Sequence, residues 1–146
     1  MKASELRQRV AEAISAAQAK KAEDVTILQM DQESPSFTDY FVIASGSNPR
    51  QIQAISDEVA DRLARMGLNP AHVEGYNLAE WVLLDYVDFV VHVFSEKARK
   101  YYDLERLWKS AKRLEPSELK PARKRTAPKR AGPRARKPPK GQKNSQ

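Results

Sequence analysis

The chain reads as an α/β domain built on a mixed β-sheet of about five strands flanked by helices and followed by a disordered basic tail. Three observations predict this architecture. Apolar residues recur at helical spacing in separate stretches, short runs rich in Val, Ile, Phe and Tyr alternate with them, and the composition changes abruptly near residue 120. Helix and strand signals that alternate along a chain imply a sheet covered by helices, because each element has an apolar side to bury.

The first helix is expected from Ser4 to Lys21. Leu6, Val10, Ala13, Ile14 and Ala17 share one side, Ser4 is a candidate N-cap, and Lys20 and Lys21 sit at the negative end of the helix dipole. DVTILQM, from Asp24 to Met30, reads as the first strand, and TDYFVIAS, from Thr38 to Ser45, as the second. The polar stretch at 31–36, with its Pro35, reads as the turn between them, short enough for antiparallel pairing.

SGSNPRQ, from Ser45 to Gln51, leads into a longer helix. Asn48 is the expected cap, Pro49 suits the first helical position, and Gln51 stands where a capping box places Glu or Gln. Ile52, Ile55, Val59, Leu63 and Met66 form the stripe to be buried, Gly67 ends the helix, and Pro70 prevents its resumption. Such a helix serves as a crossover between parallel strands, which makes the sheet mixed. Ala71 to Gly75 reads as a short edge segment.

The remaining elements are organised around WVLLDYVDFVVHVF, from Trp81 to Phe94, which predicts a β-hairpin. Its second arm is apolar at every position but His92 and is therefore expected inside a sheet covered on both faces. Val87 falls where a tight turn often needs a positive φ, which a β-branched residue resists, so the turn is expected to be wider than two residues. Ser95 then caps a helix with Tyr101, Leu104, Trp108 and Ala111 on its packed side, and Pro116 stops it. The domain is accordingly placed at 1–116 and the tail at 117–146.

Charge divides the chain in the same way. Residues 120–146 hold 11 Lys or Arg and no acid, leaving 15 basic against 19 acidic groups in the first 119 residues. The body is thus at −4 and the tail at +11, so nucleic-acid affinity belongs to the tail alone on this count. With five prolines, no aromatic and no aliphatic residue larger than alanine, the tail cannot offset the entropy of folding. The absence of cysteine excludes disulfide and thiol chemistry, and two histidines make a zinc site improbable. No membrane span, signal peptide or transit peptide is read, and the expected location is cytoplasmic.

No residue pattern demands catalysis or a cofactor. The Ser45–Arg50 turn resembles a phosphate cradle at a helix N-terminus, yet it has one glycine and a proline in place of a donor, so helix capping is the favoured reading. Asp85 and Asp88 straddle a turn and lack the third acid of a metal-assisted phosphoryl-transfer site, which favours a turn-forming or partner-facing role. His92 reads as a hydrogen-bonded core residue, and Tyr101 and Tyr102 as packing groups. Trp81 fits either the core or an interface anchor.

TDYFVIASGSNPRQ, VEG at Val73 to Gly75, EWVLLDYVDFVVHVF and YYDLERLW, in this order and at these separations, resemble the ribosomal silencing factor family, also called the Iojap family. The resemblance runs from about Leu6 to Leu114. It implies a nucleotidyltransferase-like fold without the catalytic constellation and a non-enzymatic, commonly homodimeric protein. Such a protein would bind the large ribosomal subunit through ribosomal protein uL14, block joining of the small subunit and lower translation when nutrients are short.

Carried over residue by residue, Trp81 matches the family's hairpin tryptophan, Asp85 and Asp88 its turn acids, and Glu74 and Gly75 its short edge motif. Ser45, Gly46, Ser47, Arg50 and Gln51 match its strand-to-helix motif. An exposed Trp81, Asp85 and Tyr86, with Asp88 and Glu74, would present an acidic, aromatic surface to a basic ribosomal protein. Val87 departs from the family's usual glycine. The tail is a second departure and is expected to touch ribosomal RNA. Two alternatives belong to other classes: a nucleotide-binding or nucleotidyltransferase-like enzyme using the Ser45–Arg50 turn, and an RNA-binding protein acting through the basic tail.

Overall fold

The structure is a computed structural model that describes residues 2–30 and 38–119. The expected turn at 31–36 and the basic tail at 120–146 lie outside the described residues. A six-stranded sheet in the order β3-β4-β5-β2-β1-β6 forms the centre. Its strands are β1 (Glu23–Gln29), β2 (Tyr40–Gly46), β3 (His72–Glu74), β4 (Trp81–Asp85), β5 (Phe89–Ser95) and β6 (Lys112–Leu114), joined by α1 (Ala3–Ala19), α2 (Pro49–Arg65), α3 (Glu96–Tyr102), α4 (Leu104–Leu107) and α5 (Pro116–Leu119). β2 and β5 run parallel, and every other neighbouring pair is antiparallel.

Both faces of the sheet are covered, which is why β5 is apolar at every position but His92 and the terminal Ser95. On one face, Phe89, Val91 and Val93 pack with Val42, Ala44 and Ile27 beneath the stripes of α1 and α2. On the other, Val90 and Phe94 pack with Leu28, Phe41 and Ile43 beneath Ala98 of α3, with Leu104 and Trp108 at the margin. Of the predicted α2 stripe, Ile52, Ile55, Val59 and Leu63 are fully buried, whereas Met66 is exposed because the helix ends at that residue and Gly67 turns away at φ +82.

The capping reading of α2 holds in detail. Asn48 Oδ1 accepts from the Gln51 N–H at 2.8 Å, and Gln51 Oε1 accepts from the Ser47 N–H at 2.6 Å. Gln51 Nε2 also donates to the carbonyls of Lys20 and Lys21, so one side chain ties the end of α1 to the start of α2. Gly46 is required by close approach: a Cβ there would meet Ile52 Cγ1 at 2.7 Å. Ser4, by contrast, lies inside α1, whose N-cap is Lys2 without a side-chain bond.

The region after β5 departs most from expectation. The single helix predicted from Ser95 breaks at Asp103, which adopts φ 48, a conformation that a short acid tolerates better than most side chains. The chain then forms α4 and a sixth strand, where Leu114 is buried opposite Ile27 of β1. Tyr101, expected on the packed side, is 81% exposed. The fold also continues past residue 116, since α5 places Leu119 in the core and Arg7 of α1 donates to its carbonyl.

Candidate functional site

The hairpin forms as expected, but its turn is tighter than the identity of Val87 suggested. Asp85 pairs with Val90, the Tyr86 N–H donates to the Phe89 carbonyl, and the Asp88 N–H donates back to the Tyr86 carbonyl at 2.8 Å. That last bond closes a three-residue turn in which Val87 sits at φ +74 with its side chain largely exposed. Asp85 Oδ1 holds the Val87 N–H at 2.8 Å, and Tyr86 stacks on Phe89 at 4.9 Å. These contacts offset the cost of the left-handed conformation, roughly 1–3 kcal/mol.

Strand alternation sorts the candidate partner residues. Trp81, Leu83 and Asp85 point to the α3 side of the sheet, as the half-buried positions of a strand whose other positions, Val82 and Leu84, are buried. Glu74 of β3 lies opposite Leu83, and His72 lies opposite Asp85. Cross-strand partners share a face, so Glu74, Trp81, Leu83 and Asp85 form one half-open strip near the β3 edge. Glu74 is exposed and paired with His72. Leu83 escaped the sequence reading; its alternation with Trp81 and Asp85 is the signal that marks it.

Tyr86 does not belong to this strip. It points to the opposite face, is 3% exposed and lies in the α1–α2 core. Burial pushes its phenol up to about 12, and its hydroxyl has no hydrogen-bond partner among the described residues. The expected exposed Tyr86 is therefore corrected: it anchors the turn from inside. Asp88, at the tip, fixes the hairpin to β2 through its carbonyl, which accepts from the Asp39 N–H.

Trp81 is also more embedded than a free anchor. It starts β4, four residues and about 13 Å of strand from Asp85, and pairs with Phe94. Its ring stacks on Phe94 at 5.0 Å and meets Tyr102 at 4.5 Å, while its Nε1–H donates to His92 Nδ1 at 3.0 Å. His92 is the buried, hydrogen-bonded residue expected, and burial lowers its pKa to about 3, so the imidazole is neutral. Because Nδ1 accepts, the proton sits on Nε2, which has no partner among the described residues. Gly75, at φ +79, lets β3 turn against β4, for a Cβ there would lie 2.0 Å from the Trp81 carbonyl oxygen.

Most of the strand-to-helix motif is tied into the fold. Ser45 is buried and its Oγ accepts from Arg99 at 2.8 Å. Arg99 donates further to Thr26 Oγ1 and to the Glu105 carboxylate, and Arg113 reaches the same carboxylate at 3.5 Å. These groups line a cleft of about 550 Å³ beside the carboxyl end of β2. Parallel strands whose connections leave to opposite faces often bind ligands at this place. Here, however, Arg99, Lys100 and Arg113 are outnumbered by Asp24, Glu96, Asp103, Glu105 and Glu115. Nothing in that balance favours a polyphosphate. Arg50 is exposed on α2, and among the described residues no cluster of three or more His, Asp or Glu could hold a metal.

Comparison with known proteins follows the same architecture. The family model for ribosomal silencing factor during starvation matches residues 3–141. A Bacillus subtilis protein named ribosomal silencing factor RsfS is 44% identical over 100 residues, which span 68% of this chain and 83% of that one. A crystal structure from Bacillus halodurans is similar with a TM-score of 0.64 at 40% identity, covering 77% of this chain and 98% of that chain. One from Chromobacterium violaceum has a TM-score of 0.67 at 33% identity, covering 70% and 84%.

Proposed function

This chain belongs to the ribosomal silencing factor family, and on that premise we propose that it binds the large ribosomal subunit through ribosomal protein uL14. By occupying that surface it sterically blocks joining of the small subunit and represses translation under nutrient limitation. The action is binding, not catalysis, and it takes place in the cytoplasm; no helix among the described residues is long and apolar enough to cross a membrane. In solution the chain pairs as a homodimer.

One observation supports the site more than any other: Glu74, Trp81, Leu83 and Asp85 lie on one half-open face of the β3–β4 edge, with Asp88 at the adjoining tip. Carboxylates around a partly apolar strip suit a basic ribosomal protein, because opposite potentials steer the encounter and apolar contact then holds the complex. Tail residues 120–146, with 11 positive charges, add salt-dependent contacts to ribosomal RNA.

The test is sedimentation of mixed subunits after the large subunit has been incubated with the full chain. The joined-ribosome peak should fall while the protein travels with the large subunit. Trp81→Ala is a poor probe, since it also unpairs His92 and opens the packing against Phe94. Glu74→Lys combined with Asp85→Asn removes charge while keeping an acceptor for the Val87 N–H, and should weaken binding about five- to tenfold. Undiminished binding by the folded double variant would remove the site assignment. A chain ending at residue 119 should still bind, with a shallower dependence on salt.

A further inference from the structure

We propose that the hollow formed by α3 and α4 is a second binding surface, one that takes single-stranded RNA. Tyr101, Leu107 and Tyr102 are 81%, 71% and 45% exposed, an uncommon concentration of apolar surface within seven residues. They line a shallow hollow of about 720 Å³ together with Lys100, Arg106 and Lys109, against the single acid Asp103. None of these three cations makes an ion pair or side-chain hydrogen bond among the described residues. Asp103, whose left-handed backbone ends α3 and starts α4, lies in the lining of the hollow.

The charge of this region is opposite to that of the rest of the body. Residues 96–114 hold seven basic and three acidic side chains, whereas the other residues of the first 119 hold eight basic and 16 acidic. Arg99 and Arg113 are turned to the cleft beside β2 and paired with Glu105, but Lys100, Arg106 and Lys109 against Asp103 leave the hollow itself net basic, so a flexible strand of phosphates is drawn to it and repelled by the acidic remainder of the body. Tyr101 supplies what the tail lacks, an aromatic ring on which a base can stack, steadied edge-to-face by Tyr102 at 5.0 Å. Tyr102 in turn touches Trp81, so this surface adjoins the acidic strip on the same face of the sheet. The proposal does not depend on what that strip binds.

The experiment compares full-length chain binding to a labelled uridine dodecamer and to an abasic strand of the same length, by fluorescence anisotropy. The tail binds phosphates and treats the two strands alike, whereas stacking requires bases. The dodecamer should bind about tenfold more tightly than the abasic strand. Tyr101→Ala should erase that preference, Tyr101→Phe should retain it, and Glu74→Lys with Asp85→Asn should leave it unchanged. Because Tyr101 is exposed, its replacement should not lower the unfolding midpoint. Equal affinity for the two strands in the native chain, or a preference that survives Tyr101→Ala, overturns the proposal. So does an acidic amphipathic peptide that binds at Tyr101 and is not displaced by RNA, which would make the hollow a protein-docking surface.

Discussion

Between pH 8 and 5, acidification should weaken this fold chiefly through one residue, and the size of the effect follows from the geometry of His92. An unfolded imidazole takes up its proton near pH 6.5, whereas in the fold burial delays protonation to about 3. The folded pKa is the lower of the two, so the stability is fully present above about pH 7 and is lost as pH falls toward 3. At pH 5 the loss is about 2 kcal/mol relative to pH 8. The aromatic rings around it, Phe41 at 4.6 Å and Phe94 at 6.1 Å, provide no compensating negative charge. Urea unfolding followed by tryptophan fluorescence at several pH values measures the effect, and the midpoint should fall by roughly 1–2 M over this range. His92→Gln keeps an acceptor for the Trp81 N–H but cannot titrate. Its altered shape lowers the starting stability, yet between pH 8 and 5 that variant should lose about 2 kcal/mol less than the native chain. Parallel pH profiles for the native chain and the His92→Gln variant would refute the reasoning, because the acid sensitivity would then reside elsewhere.

Two further predictions concern the backbone. Gly75→Ala places a methyl group 2.0 Å from the Trp81 carbonyl oxygen at a positive φ, so β3 must shift from β4; denaturant unfolding should show a loss of about 3 kcal/mol, and a loss below about 1 would mean that the edge strand contributes little to the fold. Val87→Gly relieves a β-branched residue at φ +74 whose side chain is 60% exposed. It should stabilise the hairpin by about 1 kcal/mol, measured by the same unfolding midpoint, and a destabilised variant would show that Val87 makes contacts worth more than its backbone strain.

The hairpin and α2 were legible because their determinants are local. Asn48, Pro49 and Gln51 act within one turn of each other, and an uninterrupted apolar run such as Phe89 to Val91 states by itself that both sheet faces are covered. The site was legible only in part. Period-two alternation already places Trp81, Leu83 and Asp85 on one face and Tyr86 on the other, so the burial of Tyr86 was available from the pattern once the strand boundaries were known. The exposed tip suggested by the turn acids drew it outward instead.

The element types, the mixed sheet, the division of charge between body and tail, and a resemblance specific enough to name a family could all be read from residues close together in the chain. The remaining features depend on packing between distant segments. Asp103 breaks α3 because Leu114 is buried against Ile27 in a sixth strand, a gain that comes from a residue 87 positions away and outweighs local helical periodicity. Val87 accepts a left-handed backbone because Tyr86 and Phe89 are held beneath it by the core. Tyr101 is left outside because Ala98 and Tyr102 take the side of α3 that faces the sheet, Ala98 in the core and Tyr102 against Trp81 and Phe94. In each case a distant packing energy of a few kcal/mol exceeds a local preference of about one, and only the assembled fold reveals which wins.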